Sequence, residues 1–184
     1  MDKGVTLAPF TTLKIGGKVA YFCRAKNEEE ISAAAVFAQN KKLPIFILGG
    51  GSNVLVSDEG FGGVVVKIET EGISYEEESV EYTTVRAAAG ENWDSLVADT
   101  VSRGFWGLEN LSGIPGTVGA APIQNIGAYG AEAKDTIESV RALDMRTKKE
   151  KVFSNEECRL EYRDSFFKSA EGKNFVVLEV IFRL

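Results

Sequence analysis

Histidine is missing from all 184 residues. Its absence excludes imidazole metal ligands and Ser-His or Cys-His nucleophile systems. Cysteine is nearly as scarce. Cys23 and Cys158 lie far apart and outside any CxxC pair, so neither a disulfide framework nor a metal site is expected. No apolar run approaches the roughly 20 residues that span a bilayer, and the opening MDKGVTLAPF has no apolar signal core. The expectation is a cytoplasmic protein without membrane insertion. Positive charge is in deficit, with 21 Lys and Arg against 27 Asp and Glu. The net charge of −6 argues against a general nucleic-acid binder, although local basic residues can still hold an anionic ligand. A content of 44% hydrophobic and 26% charged residues is that of an ordinary globular protein. The length suits one good domain or two small lobes.

What the chain does have is glycine, 19 in all. Ser112–Gly130, SGIPGTVGAAPIQNIGAYG, combines glycines, Pro115 and Pro122 with no charged residue. Such a segment is poor material for a helix interior or a long strand, because glycine admits unusual backbone angles and proline removes donors. It can lie close against another surface. There it offers amide N–H groups, the hydroxyls of Ser112, Thr117 and Tyr129, and the carboxamides of Gln124 and Asn125. These suit a neutral, flat, polar-edged ligand such as a heterocyclic ring; the alternative is a buried structural loop.

Upstream, Val19–Arg24 reads as a strand, and Asn27 as the N-cap of a helix running to about Asn40. Pro44–Leu48 reads as a strand feeding Gly49, Gly50, Gly51, Ser52 and Asn53, followed by strands at Val54–Ser57 and Gly63–Ile68. From Ile73 the character changes. Strands are expected at Ile73–Tyr75 and Val80–Ala88 around an acidic Glu76–Glu78 turn. A helix capped by Asn92 carries Leu96, Val97 and Val101 on one side and stops at Gly104. Ile137–Met145 and Lys151–Phe153 form a hairpin, Ser154 caps a short helical turn, and Phe175–Leu184 closes the chain as a central strand. The division falls near residue 70, into lobes 1–70 and 71–184.

GGGSN after a strand is a candidate phosphate cradle, since consecutive glycines let N–H groups converge on an anion. It is neither a Walker A loop nor a GxGxxG opening a helix, and a plain tight connection explains it equally well. Two glycine-rich segments in separate lobes fit a dinucleotide, one offering donors for a pyrophosphate and the other an edge for a ring. Arg163, in Glu161–Ser165, can stabilise negative charge developing on a substrate oxygen. The alternative for it is a surface ion pair with Asp164 or Glu161, worth under about 1 kcal/mol. Trp93 and Trp106 read as packing residues.

GGGSN, then SGIPGTVGAAPIQNIGAYG, then EYRDSFFK resemble, in that order, the UDP-N-acetylenolpyruvoylglucosamine reductase family, flavoproteins that make UDP-N-acetylmuramate for peptidoglycan. TTLKIGGKVAYF is similar to that family's N-terminal lead. The resemblance implies an α+β, two-lobed FAD-binding domain of the vanillyl-alcohol-oxidase (PCMH) type. It implies that Gly49, Gly50, Gly51, Ser52 and Asn53 take the FAD pyrophosphate. It also implies that Ser112, Gly113, Ile114, Pro115, Gly116 and Gly119, with Gln124, Asn125, Ile126, Gly127 and Ala128, line the flavin side. Tyr162 matches a substrate-binding position, and Arg163 the catalytic one that polarises the enolpyruvyl group. NADPH and a UDP-sugar are the implied partners. The family's C-terminal substrate domain, which carries its serine proton donor and a glutamate, has no matching positions before Leu184. This chain is therefore expected to be the FAD-binding part. A non-catalytic flavin module and a flavin oxidase of the same fold are the alternatives.

Overall fold

The structure, a computed structural model, describes residues 1–77 and 82–184. It separates into two units, Met1–Thr70 and Glu71–Leu184.

In the first unit, β1 (Asp2–Lys3), β2 (Val19–Ala25), β3 (Ile45–Leu48) and β4 (Phe61–Ile68) form a sheet in the order β1-β2-β4-β3. β2 and β3 run parallel to β4 on either side of it. Helix α1 (Glu28–Lys41) makes the crossover between β2 and β3. Asn27 starts it, its Oδ1 accepting the Glu30 N–H at 2.9 Å, and three glutamates in the first turn complement the helix dipole. Ile31, Ala34, Ala35 and Ala38 form the buried stripe. Leu7, Val19, Phe22, Leu48 and Val65 make a core on which Val54 and Val56 also pack.

That packing corrects one expectation. Val54–Ser57 is not a strand. The segment pairs with no strand of the sheet β1-β2-β4-β3 and packs on its core instead. Val54 and Val56 turn inward while Leu55 is 75% exposed. This alternation imitates a strand, yet the backbone is held by isolated bonds such as Gly17 N–H to Ser57 O at 2.9 Å.

In the second unit, β5 (Ile73–Glu77), β6 (Thr83–Ala88), β9 (Ile137–Asp144), β10 (Glu150–Ser154) and β11 (Phe175–Arg183) form an antiparallel sheet, β10-β9-β11-β6-β5. β11 is central and almost continuously buried. β7 (Gly127–Ala128) and β8 (Ala131–Glu132) are a separate hairpin. Glu76 and Glu77 belong to β5 rather than to a turn; they pair with Thr84 and Thr83, and Glu76 meets Arg86 at 3.1 Å. Glu78, Val80 and Glu81, assigned above to a turn and a strand, lie outside the described residues. Helix α2 (Trp93–Ser102) is capped by Asn92 and buries Trp93, Leu96, Val97 and Thr100. Val101 is 48% exposed, because Thr100 takes the inward position. Gly104 follows at φ +84°, as a C′ glycine should. Ser154 and Glu157 form a capping box at α3 (Asn155–Cys158). Trp93 is buried, with its indole N–H on Leu111 O at 2.9 Å, but Trp106 is 79% exposed and is no packing residue.

Candidate functional site

The EYRDSFF segment divides into anchors and a projecting tip. Phe166 and Phe167 are buried, with rings against Phe153, and Phe166 also meets Phe175. Ser165 Oγ donates to Ile123 O at 2.6 Å, tying the segment to the glycine-rich loop. Between these anchors Glu161 and Asp164 exchange two backbone bonds, N–H to O at 3.0 and 3.1 Å. Tyr162 and Arg163 occupy the two central positions. Arg163 has φ 54°, whereas Tyr162 is not in the left-handed region, which is the pattern of a type II turn. Glycine or asparagine is the favoured residue there; an arginine costs roughly 1–2 kcal/mol. Such strain persists only where the surroundings enforce it, and it concentrates at functional positions. Lys168 Nζ holds the Arg163 carbonyl at 2.5 Å and faces Asp164 at 3.7 Å. Tyr162 is left 82% exposed, and Arg163 is exposed as well. Among the described residues the Arg163 guanidinium has neither an ion pair nor a hydrogen bond, so the surface-pair alternative is not what forms.

The β7–β8 hairpin supplies a second tip. Tyr129 and Gly130 join the strands with φ 51° and 83°, the two positive angles of a type I′ turn. Tyr129 is 90% exposed. The two tips line one cavity of about 400 Å³. Asn125, Gly127 and Ala128 contribute to its wall, as do Tyr162 and Arg163, and Glu132, Lys134 and Asp135 add charge. Glu132 pairs with Lys134, and that contact first, then Asn125, holds its carboxyl below the usual glutamate range.

The remaining flavin-side candidates are arranged differently. Ser112 Oγ and Gly113 N–H both donate to Asp94 Oδ1 in the first turn of α2, at 2.9 and 2.6 Å. Those bonds, the Gly113 N–H first, hold the Asp94 carboxyl below its ordinary range. Ile114 is half-buried and Pro115 exposed. Gly116 accepts the Trp93 N–H at 3.2 Å. Gly119 donates to Ala89 O at 2.9 Å, and a Cβ there would come within 2.5 Å of the Ala89 Cβ; it is a close-packing glycine. Gln124 is half-buried and Ile126 buried. In the first unit, Gly49 and Ser52 are half-buried, Gly50 and Asn53 exposed, and Gly51 buried at φ +71°.

Tyr129 was named above only for its hydroxyl, and Glu132, Lys134 and Asp135 were not singled out. The usable signal was Tyr129-Gly130 itself, two residues with glycine second between Gly127-Ala128 and Ala131-Glu132, which marks a hairpin tip. Glu132, Lys134 and Asp135 carry no local signal, because only the folded hairpin brings them to the cavity.

Residues 19–152 match the family model described as FAD binding domain, so the chain belongs to that family. It is 44% identical over 178 residues to the UDP-N-acetylenolpyruvoylglucosamine reductase of Bdellovibrio bacteriovorus, covering 97% of this chain and 53% of that protein. The crystal structure of the Thermus caldophilus reductase of the same name superposes with a TM-score of 0.78 at 30% identity, covering 97% of this chain and 60% of that one. A cholesterol oxidase from Brevibacterium sterolicum shares the fold at 15% identity, with a TM-score of 0.67 over 92% of this chain and 35% of its own. The chain spans about half the length of the curated relatives it matches. The α+β FAD-binding fold expected from the sequence is thereby established, and FAD is the cofactor of the family.

The residues present fit that group. No hydrogen bond among the described residues engages the N–H of Gly50 or Gly51, which leaves donors suited to a pyrophosphate. The cavity wall at Gly127 and Ala128 is small and uncharged, and its volume lies toward the low end for ligand pockets, room for part of a dinucleotide.

Proposed function

We propose that this chain is the FAD-binding part of an NADPH-dependent reductase that converts UDP-N-acetylenolpyruvoylglucosamine to UDP-N-acetylmuramate in peptidoglycan precursor synthesis. Cytoplasmic placement goes with that reading; among the described residues no helix is long and apolar enough to cross a membrane. The observation that carries the proposal is Arg163, whose guanidinium has no partner among the described residues and stands on a strained turn beside the cavity that Asn125, Gly127 and Ala128 line.

FAD, when bound, supplies a two-electron carrier between NADPH and the enolpyruvyl double bond. The chain's own residues do the rest. Gly49–Asn53 hold the pyrophosphate through backbone N–H groups. The flavin side falls to Ser112, Gly113, Ile114, Pro115, Gly116 and Gly119, with Gln124, Asn125, Ile126, Gly127 and Ala128. Of these, Gly127 and Ala128 present a flat uncharged wall, while Ser112 and Gly119 keep the loop in shape. Arg163 meets the negative charge that develops on the enolpyruvyl carboxylate as the double bond is reduced. A guanidinium offers two parallel donors to a carboxylate. Tyr162, beside it on the turn, borders the substrate.

Two measurements test this. FAD-reconstituted protein is expected to show a flavin spectrum that NADPH bleaches without oxygen. In a chain that also carries the family's substrate domain, Arg163→Ala is expected to leave FAD bound while slowing enolpyruvyl reduction about 10²–10³-fold. Flavin binding without bleaching favours a non-catalytic module, and an unchanged reduction rate in Arg163→Ala removes the catalytic assignment.

A further inference from the structure

Asn125 is 1% exposed, and every polar atom of its side chain is engaged. Its Oδ1 accepts the Lys134 N–H at 2.9 Å. Its Nδ2 donates to Glu132 Oε2 at 3.2 Å and to Glu161 O at 3.1 Å. Three segments therefore meet on one carboxamide: the glycine-rich loop, the stretch leaving the β7–β8 hairpin, and the turn bearing Tyr162 and Arg163. The Glu161 carbonyl also accepts the Asp164 N–H, the bond that closes that turn. Asn125 thus reaches the turn at its closing bond. Its own φ of 43° points the carboxamide inward from a conformation asparagine tolerates. Aspartate could keep the Lys134 bond but would lose both donors and place a second carboxylate beside Glu132.

From this geometry we infer that Asn125 is a positioning residue: it fixes the Tyr162–Arg163 turn against the loop that walls the cavity, and so sets where the Arg163 guanidinium stands. The inference rests on the reading of Arg163 given above. Asn125 acts through main chain, and it contacts the turn rather than the reacting group.

The test uses Asn125→Gly, which keeps the left-handed backbone unstrained while deleting all three bonds, together with Asn125→Asp. Amide hydrogen exchange reads the turn directly. Exchange at Glu161 and Asp164 is expected to quicken at least about 10-fold in both variants, with the amides of β11 unchanged. Unchanged exchange at Glu161 and Asp164, or an acceleration spread equally into β11, overturns the inference. A variant that does not fold is replaced by wild-type protein. There the side-chain amide protons of Asn125 are expected to exchange at least about 10-fold more slowly than those of exposed Asn40, and equal rates overturn it. In FAD-loaded Asn125→Gly that also carries the family's substrate domain, the enolpyruvyl step is expected to slow about 10-fold more than bleaching by NADPH does, a split that general loosening does not give. Equal slowing of both steps overturns the positioning role. Wild-type protein that NADPH cannot bleach refutes the functional reading instead, and the exchange result then stands on its own.

Discussion

Ser165 donates its hydroxyl to the carbonyl of Ile123 across 42 positions of sequence, at 2.6 Å. Ser165 is 6% exposed, so water has little access to replace it. Ser165→Ala leaves the Ile123 carbonyl without this donor. It is expected to destabilise the second unit by about 1–3 kcal/mol in denaturant titration. A change under about 0.5 kcal/mol would assign the bond to the surface class.

Arg163 sits where its backbone prefers asparagine or glycine. Arg163→Asn is therefore expected to leave stability unchanged or raise it by up to about 1 kcal/mol, while abolishing the charge that the proposed reaction needs. Denaturant midpoints for wild type and variant check this. A clear loss of stability would mean that the arginine side chain supports the fold.

The glycines separate into two kinds by what a Cβ would meet. At Gly51, φ is +71° and a Cβ would lie 2.0 Å from the Phe10 carbonyl oxygen. At Gly130, φ is +83° but nothing lies within 4 Å. Gly51→Ala is expected to cost the first unit about 3 kcal/mol or more, and Gly130→Ala only about 1 kcal/mol. Equal effects would contradict the close approach at Gly51.

Tyr75 donates its hydroxyl to Asp99, stacks on Phe105, and lies under the Arg103 guanidinium. Burial first, then the bond to Asp99, pushes its phenol up to about 12 from an ordinary value near 10. A pKa raised in the folded state means the native protein favours the protonated phenol. The stabilisation is therefore complete below about pH 10 and is lost as pH rises from there through about 12. Tyr75→Phe is expected to flatten that part of the stability profile, and absorbance at 295 nm should show one tyrosine titrating late.

Cys158 is fully buried, and burial pushes its thiol up to about 12. Cys23 is half-buried, and burial raises its thiol as well. A disulfide-exchange reagent at pH 8 is expected to label Cys23 slowly and Cys158 only on unfolding. Rapid labelling of Cys158 would contradict the packing around it.

Much of this architecture was legible because local chemistry and tertiary packing agree. Asn27 and Asn92 cap their helices, Ser154 forms a capping box, and the apolar run from Phe175 lies at the centre of its sheet. The failures share a cause. Val54–Ser57 alternates because it packs on a core, and only the fold shows that it pairs with no strand. Glu76 reads as a turn residue until Arg86 on the neighbouring strand offsets its charge. At the candidate site the sequence marks the segments, but not what each residue bonds to. Nothing in the sequence says that Ser112 and Gly113 bind Asp94, that Gly119 lies against Ala89, or that Asn125 bonds to the carbonyl before Tyr162. Those relations join positions far apart in the chain and depend on which backbone groups the fold leaves facing one another.

The most direct measurement is a crystal structure of the protein loaded with FAD. Flavin-ring density against Gly127 and Ala128, in the cavity that Arg163 borders, is the predicted result. A flavin ring bound elsewhere, with Arg163 facing only solvent, would contradict the account.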